Sequence, residues 1–232
     1  MKTSDLLDQL LGSGQAAMQR KSVGRTPLGK GSGGTLGGML SGGGGRSLAT
    51  GAIGLLLGGK LARKMGGKAL GYGGMAALGV IAYRAFGNWQ RRNMTSAPQG
   101  QPQMLDRLSE QEAESHSRAV LRALIGAAKA DGHIDDRERR LLHDEIAKLT
   151  EDQEVRDWFD AELNKPLDPS DIARSADTPE MAAEMYLASL LMIDEQNFME
   201  RSYLEELARQ MNIEPSLRAE LEKQAWEAAG NA

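Results

Sequence analysis

Ser109-Glu110-Gln111-Glu112 opens the stretch SEQEAESHSRAVLRALIGAA, residues 109–128. Ser109 and Glu112 stand three apart just before an apolar run, the signature of a capping box in which each side chain satisfies the other's backbone N–H. Val120, Leu121, Leu124, Ile125 and Ala128 then recur at the spacing of one helical face. The same grammar repeats to the C-terminus. Residues 136–149 place Leu141, Leu142, Ile146 and Leu149 inward, and Thr150 can cap a helix to 163 that carries Val155, Trp158 and Phe159. Asp168-Pro169 and Thr178-Pro179 are cap-plus-N1-proline pairs, each opening a helix. Met181, Met185, Leu187, Leu190 and Leu191 mark the core of the second. Residues 198–211 and 215–229 complete the set. No window alternates as a strand would, so the expected fold is all-α: a compact bundle of about seven helices over 105–232. Trp158, Phe159, Met185, Tyr203 and Trp226 are its expected core.

The rest of the chain is of another kind. Residues 1–104 carry 13 Lys/Arg and 2 Asp/Glu, a net of +11, and hold 25 of the 28 glycines; residues 105–232 carry 15 Lys/Arg and 30 Asp/Glu, a net of −15. Such a split argues for two physical environments. Residues 1–46 read as a short amphipathic helix, Ser4-Asp5-Leu6-Leu7-Asp8-Gln9-Leu10-Leu11, followed by a Gly-rich linker too poor in apolar surface to offset its ordering entropy. Gly29-Lys30-Gly31-Ser32 lacks the spacing of a phosphate loop. The start has Asp5 and Asp8 where a signal peptide needs a basic region.

Residues 47–92 form a Gly-rich, membrane-directed segment. The run 69–83 is uncharged, and a span over 69–86 reaches the lower limit for crossing a bilayer. Tyr72, Tyr83 and Trp89 sit near its ends, where interfacial aromatics belong. A helical hairpin of 47–59 with 69–86 is the alternative, and a soluble segment the third reading. Gly54/Gly58, Gly67/Gly71 and Ala69/Gly73/Ala77 would let helix backbones approach closely and form a homo-oligomer in lipid. Residues 93–104, with Pro98 and Pro102, are the linker to the helical domain. Lys60, Arg63, Lys64 and Lys68 before the run and Arg84, Arg91 and Arg92 after it set no orientation, so the side of the C-terminal domain stays open.

One motif stands out chemically. In Ala130-Asp131-Gly132-His133-Ile134-Asp135-Asp136-Arg137-Glu138, Asp131, Gly132, Ile134, Asp135 and Glu138 match positions 5, 6, 8, 9 and 12 of an EF-hand loop. Ala127 and Lys129 occupy positions 1 and 3, so only half of the loop is there. Gly132 permits a positive φ, and Asp135 or Asp136 can cap the next helix. A second acidic turn, Ile193-Asp194-Glu195-Gln196-Asn197-Phe198-Met199-Glu200-Arg201, has a similar context. Two readings stand side by side. The turns face each other and share one hard cation, or they are ordinary helix caps with solvated charges.

At these residues the chain resembles the TerB-like (tellurite-resistance) helical domain, through Ala128-Lys129-Ala130-Asp131-Gly132, Ile134-Asp135, Glu138-Arg139, Ile193-Asp194 and Glu200-Arg201-x-Tyr203-Leu204. The whole chain resembles the YebE group of bacterial inner-membrane proteins of unknown function. The resemblance implies a compact all-α fold and a divalent-cation site, with Asp131, Asp135, Glu138, Asp194 and Glu200 as metal-ligand candidates for Ca2+ or another hard cation. The second turn departs from the first: Asp194 and Glu200 are six apart rather than seven, and Glu195 replaces the glycine.

Function follows as an expectation. The chain reads as a membrane-anchored, non-enzymatic helical module of the bacterial inner membrane, single-pass, binding a divalent cation in envelope or metal stress. The alternative is a scaffolding membrane protein that docks an unknown protein partner without an ion. There is no cysteine, which excludes thiolate chemistry and Cys-based zinc sites. His116, His133 and His143 are scattered, and no nucleophile–base arrangement supports an enzyme. The basic half lacks the interleaved aromatics expected of nucleic-acid binding.

Overall fold

The computed structural model describes residues 3–7, 74–93, 109–132, 134, 136–193 and 197–228. The region after residue 105 holds, among the described residues, seven helices, as expected. One longer helix precedes them, besides a short helical stretch at residues 3–7. In chain order they are α1 (Gly74–Asn93), α2 (Glu110–Ala128), α3 (Asp136–Leu149), α4 (Gln153–Asn164), α5 (Pro169–Ala173), α6 (Pro179–Met192), α7 (Phe198–Gln210) and α8 (Pro215–Ala228). No strand occurs among the described residues.

Helix α6 is the hub. Eleven of its 14 residues are buried, as a helix apolar on all sides requires. α2, α1, α8 and α7 pack around it, and α3 pairs with α4. Capping explains many of the boundaries. Ser109 accepts from the Glu112 N–H while Glu112 reaches back to the Ser109 N–H, so the capping box forms. Asp168 and Thr178 cap α5 and α6 ahead of their N1 prolines. Asn212, at φ 52°, ends α7. The Ile213 N–H donates to the Ala208 carbonyl at 2.9 Å and the Asn212 N–H to that of Arg209 at 3.1 Å, a Schellman closure.

Two expectations change locally. Thr150 is not the cap of α4. Its own N–H still bonds to Ile146 at the end of α3, and its hydroxyl accepts from the Asp152 N–H at 3.1 Å. Asp152 then caps α4 through the Glu154 and Val155 N–H groups. Trp226 is not core: it is 56% exposed. The buried face of α8 is Leu217, Leu221 and Ala225, and a residue one step past that row turns about 100° away from it. Phe159, Met185 and Tyr203 are buried as expected, and Trp158 is half-buried beneath the Arg118 guanidinium, 5.7 Å from its ring centre.

The expected span at 69–86 falls only partly within the described residues. Residues 69–73 lie outside the described residues, as do 47–59 and most of the small-residue faces. From Gly74 on, the run is the first part of α1, and α1 belongs to the bundle. Leu78, Ile81, Ala82, Ala85 and Phe86 are buried, and α1 lies on α6 and α8. Polar contacts fix its register: Asn88 Nδ2 donates to Glu220 at 2.9 Å, Trp89 Nε1 to Ser216 at 2.8 Å, and Arg92 pairs with Glu220 at 2.8 Å. Among the described residues no helix is long and apolar enough to cross a membrane. From Gly74 on, the apolar face of that run packs on α6 and α8. Residues 94–104 of the expected linker lie outside the described residues.

At the other end, residues 3–7 are helical and Leu6 and Leu7 are buried. The Thr3 N–H donates to Glu114 Oε2 at 2.9 Å, and Arg118 Nε donates to Glu114 Oε1 at 3.1 Å. This stretch is part of the core, a role the composition of the segment did not suggest.

Candidate functional site

The first acidic turn grows out of the end of α2. Lys129 is the C-cap, and the Gly132 N–H closes the turn on the Lys129 carbonyl at 3.0 Å. Gly132 adopts φ 88°, the left-handed conformation expected of it. The Lys129 ammonium reaches across to the end of α4, donating to the Glu162 carbonyl at 3.3 Å and also to that of Lys165. Burial lowers the Lys129 pKa, against the opposing pull of Glu162.

The second acidic turn leads into α7, capped by Asn197, whose side chain accepts from the Met199 N–H at 2.9 Å. The two turns are neighbours. A Cβ on Gly132 would lie 3.3 Å from Met199 Cε. One turn further along α7, Tyr203 packs on Gly126, so α7 runs along the end of α2. Glu200, between these contacts, is 1% exposed, and Asp131 is half-buried. A buried carboxylate at a helix's first turn is favoured by the helix dipole.

Of the five residues implicated by resemblance, the structure describes the surroundings of Asp131 and Glu200. Asp135 and Asp194 lie outside the described residues. Glu138 belongs to α3, and its side chain is likewise outside them. Among the described residues no group of three or more His, Asp or Glu is placed to hold a metal ion. Oxygen donors at a half-buried turn suit a hard cation, so Asp131 and Glu200 are of the right chemistry.

A second polar centre was not singled out from the sequence. Glu162 of α4 is nearly buried and accepts from Arg122 at 2.7 Å and from Lys165 at 2.7 Å. Burial pushes the Glu162 carboxyl up, but the hydrogen bonds from Arg122 and Lys165 outweigh it and hold the group below its usual range. Arg122 also bonds Ser175, tying α2 to the segment after α5. This centre is a brace: its cations and carboxylates serve one another. The available signal was Arg122 itself, a charge inside the apolar run Val120-Leu121-Arg122-Ala123-Leu124. The two described histidines lie apart: His116 is buried and shares a 2.5 Å hydrogen bond with Glu184 of α6, while exposed His143 lies 3.4 Å from Asp160.

The chain matches the family described as "Protein of unknown function (DUF533)" over residues 29–225, most of its length and across the expected boundary at 93–104. The chain belongs to the DUF533 family. This DUF533 member is also 32% identical over 104 residues to a Yersinia enterocolitica protein described as "Uncharacterized protein in ampR 5'region". That alignment covers 45% of the chain and 75% of the relative. No solved structure matches the DUF533 member. The match shows the DUF533 family; the YebE-like and TerB-like assignments remain resemblances.

Proposed function

We propose that this DUF533 member is a non-enzymatic helical binding module at the bacterial inner membrane whose two acidic turns take a hard divalent cation, Ca2+ or a similar ion. The observation that supports it is the approach of Gly132 to Met199, 67 residues later in the sequence, with Glu200 buried next to Met199 in the chain. Asp131 and Glu200 would supply two of the oxygens, and Asp135, Glu138 and Asp194 the others. Half of an EF-hand donor set places affinity at the weak end, on the order of 10⁻⁴–10⁻³ M. Envelope or metal stress as the setting rests on the TerB-like resemblance.

Titration calorimetry of the full chain with CaCl2, MgCl2 and MnCl2 is the test. Saturable heat that disappears in Asp131→Asn, with helicity unchanged by circular dichroism, is the expected result. Absence of saturable heat up to several millimolar in the natural chain would overturn the reading.

The ion-free alternative, a module that docks a protein partner, draws on Phe198 and Met199. They are 71% and 54% exposed at the same turn. In that reading partner capture ignores chelator and is lost in Phe198→Ser.

A further inference from the structure

Met199 of α7 meets the turn that follows α2. Its Cε lies 3.3 Å from where a Cβ on Gly132 would stand. Gly132 has no side chain to offer, and its φ of 88° is one that other residues rarely adopt. The methyl therefore sits against the glycine itself. The rest of Met199 is open to solvent, for the residue is 54% exposed. The other methionines whose side chains are described, Met181, Met185, Met192 and Met211, are all buried. Met199 thus combines two properties that its fellows do not share: an accessible thioether and a place at the junction of two elements.

We propose that Met199 is a reversible oxidation site: a peroxide converts its thioether to the sulfoxide, and that change loosens the Gly132 turn from α7. A sulfur lone pair takes one oxygen from hydrogen peroxide. The S–O bond forms, the O–O bond breaks, and the second oxygen leaves as water; sulfur gives up two electrons and the peroxide gains them. The oxidant must reach the sulfur, so a buried thioether reacts only when its surroundings open. The product is polar, and its oxygen seeks water. That oxygen is bonded to Sδ, next to the Cε that meets Gly132. An apolar contact becomes one that strips an oxygen of its hydration, which favours turning the side chain outward. The partial negative charge of the oxygen also arrives at the turn that carries Asp131, a neighbour of like sign. A methionine sulfoxide reductase reverses the step, its dithiol becoming a disulfide as the oxygen leaves in water. The inference goes beyond the cation and the membrane and depends on neither.

The full chain is treated with hydrogen peroxide, and the sulfoxide at each methionine is followed by peptide mass spectrometry. Met199 should oxidise about tenfold or more faster than Met181, Met185, Met192 and Met211 in the folded chain, and the five rates should converge in urea. Hydrogen–deuterium exchange reads the turn in the same samples. The Gly132 N–H, bonded to the Lys129 carbonyl at 3.0 Å, should exchange faster after oxidation and return to its first rate after reductase treatment. Met199→Leu conserves volume and should leave the turn indifferent to peroxide. Equal oxidation of the five methionines in the folded chain would overturn the site. Oxidation confined to Met199 with exchange at the turn unchanged, or with the same acceleration in Met199→Leu, would overturn its link to the turn. Calorimetry with CaCl2 reads the cation separately, so failure of that reading leaves this one standing.

Discussion

The Tyr203 hydroxyl of α7 lies 2.6 Å from where a Cβ on Gly126 of α2 would stand, with Ile172 Cδ1 closer still. A glycine inside a helix normally sacrifices about 1 kcal/mol relative to alanine. Here its missing side chain lets α7 and α5 seat against α2. The seating also brings Gly132 against Met199, because Gly126 and Gly132 follow each other by six residues and lie against Tyr203 and Met199 of the same helix.

Gly126→Ala should therefore destabilise the fold despite its better helix propensity. Overpacking is worth about 1–3 kcal/mol, against the gain of about 1 kcal/mol. Tyr203→Phe should be close to neutral alone, because the buried hydroxyl makes no hydrogen bond of good geometry and its neighbour Ser189 donates to the Ala123 carbonyl. In the double variant, part of the Gly126→Ala loss should be recovered. Urea denaturation of the four chains measures the coupling; strict additivity would refute the contact.

Buried phenols give an alkaline limit. Burial raises Tyr203 above its ordinary pKa, and burial together with the neighbouring Glu222 carboxylate raises Tyr186, which donates to Glu222 at 3.0 Å. A folded state that holds phenols neutral keeps this stability in full below about pH 10 and loses it as pH rises beyond the free phenol's value. Melting temperature should fall above that pH, and less steeply in Tyr186→Phe/Tyr203→Phe. An identical slope in the two chains would count against it.

Acid acts through Glu162. Its carboxyl is held below the ordinary range by Arg122 and Lys165 against the effect of burial. Its contribution is therefore present above about pH 4.3, the unfolded value, and disappears as pH falls through the folded one. Glu162→Gln should lower stability by about 2 kcal/mol at pH 7, since it leaves Arg122 facing a neutral group. The difference from the natural chain should shrink below pH 4. A difference that is constant from pH 7 to pH 3 would contradict the ion-pair account.

Removal of α1 should be costly. A chain beginning at residue 105 uncovers the sides of α6 and α8 that Leu78, Ile81, Ala82, Ala85 and Phe86 now bury, and leaves buried Glu220 without Asn88 and Arg92. In the full chain Phe86→Ala alone should remove about 3 kcal/mol. Thermal melts decide: equal melting temperatures for the chain from 105 and the full chain would show that α1 adds nothing to the bundle.

Helix identity was legible in the residues themselves. Ser109/Glu112, Asp168-Pro169 and Thr178-Pro179 act through hydrogen bonds spanning two or three residues, and periodicity such as Val120, Leu121, Leu124 and Ile125 is a local property of one helix. The positive φ at Gly132 was legible for the same reason. What a face packs against is not local. α1 carries an apolar stripe that reads equally well as facing lipid or protein until Glu220 and Ser216, more than 120 residues away, supply partners for Asn88 and Trp89. Glu162 carries no signal of its own in the sequence, because Arg122, 40 residues earlier, is invisible to any window around it. The adjacency of the acidic turns likewise depends on Tyr203 lying against Gly126. By itself the sequence determined the fold class and most of the helix starts, Asp152 at α4 excepted. Only the tertiary structure decided which apolar face belongs to the core and which polar groups are neighbours, since those depend on long-range packing that no short-range hydrogen bond or period encodes.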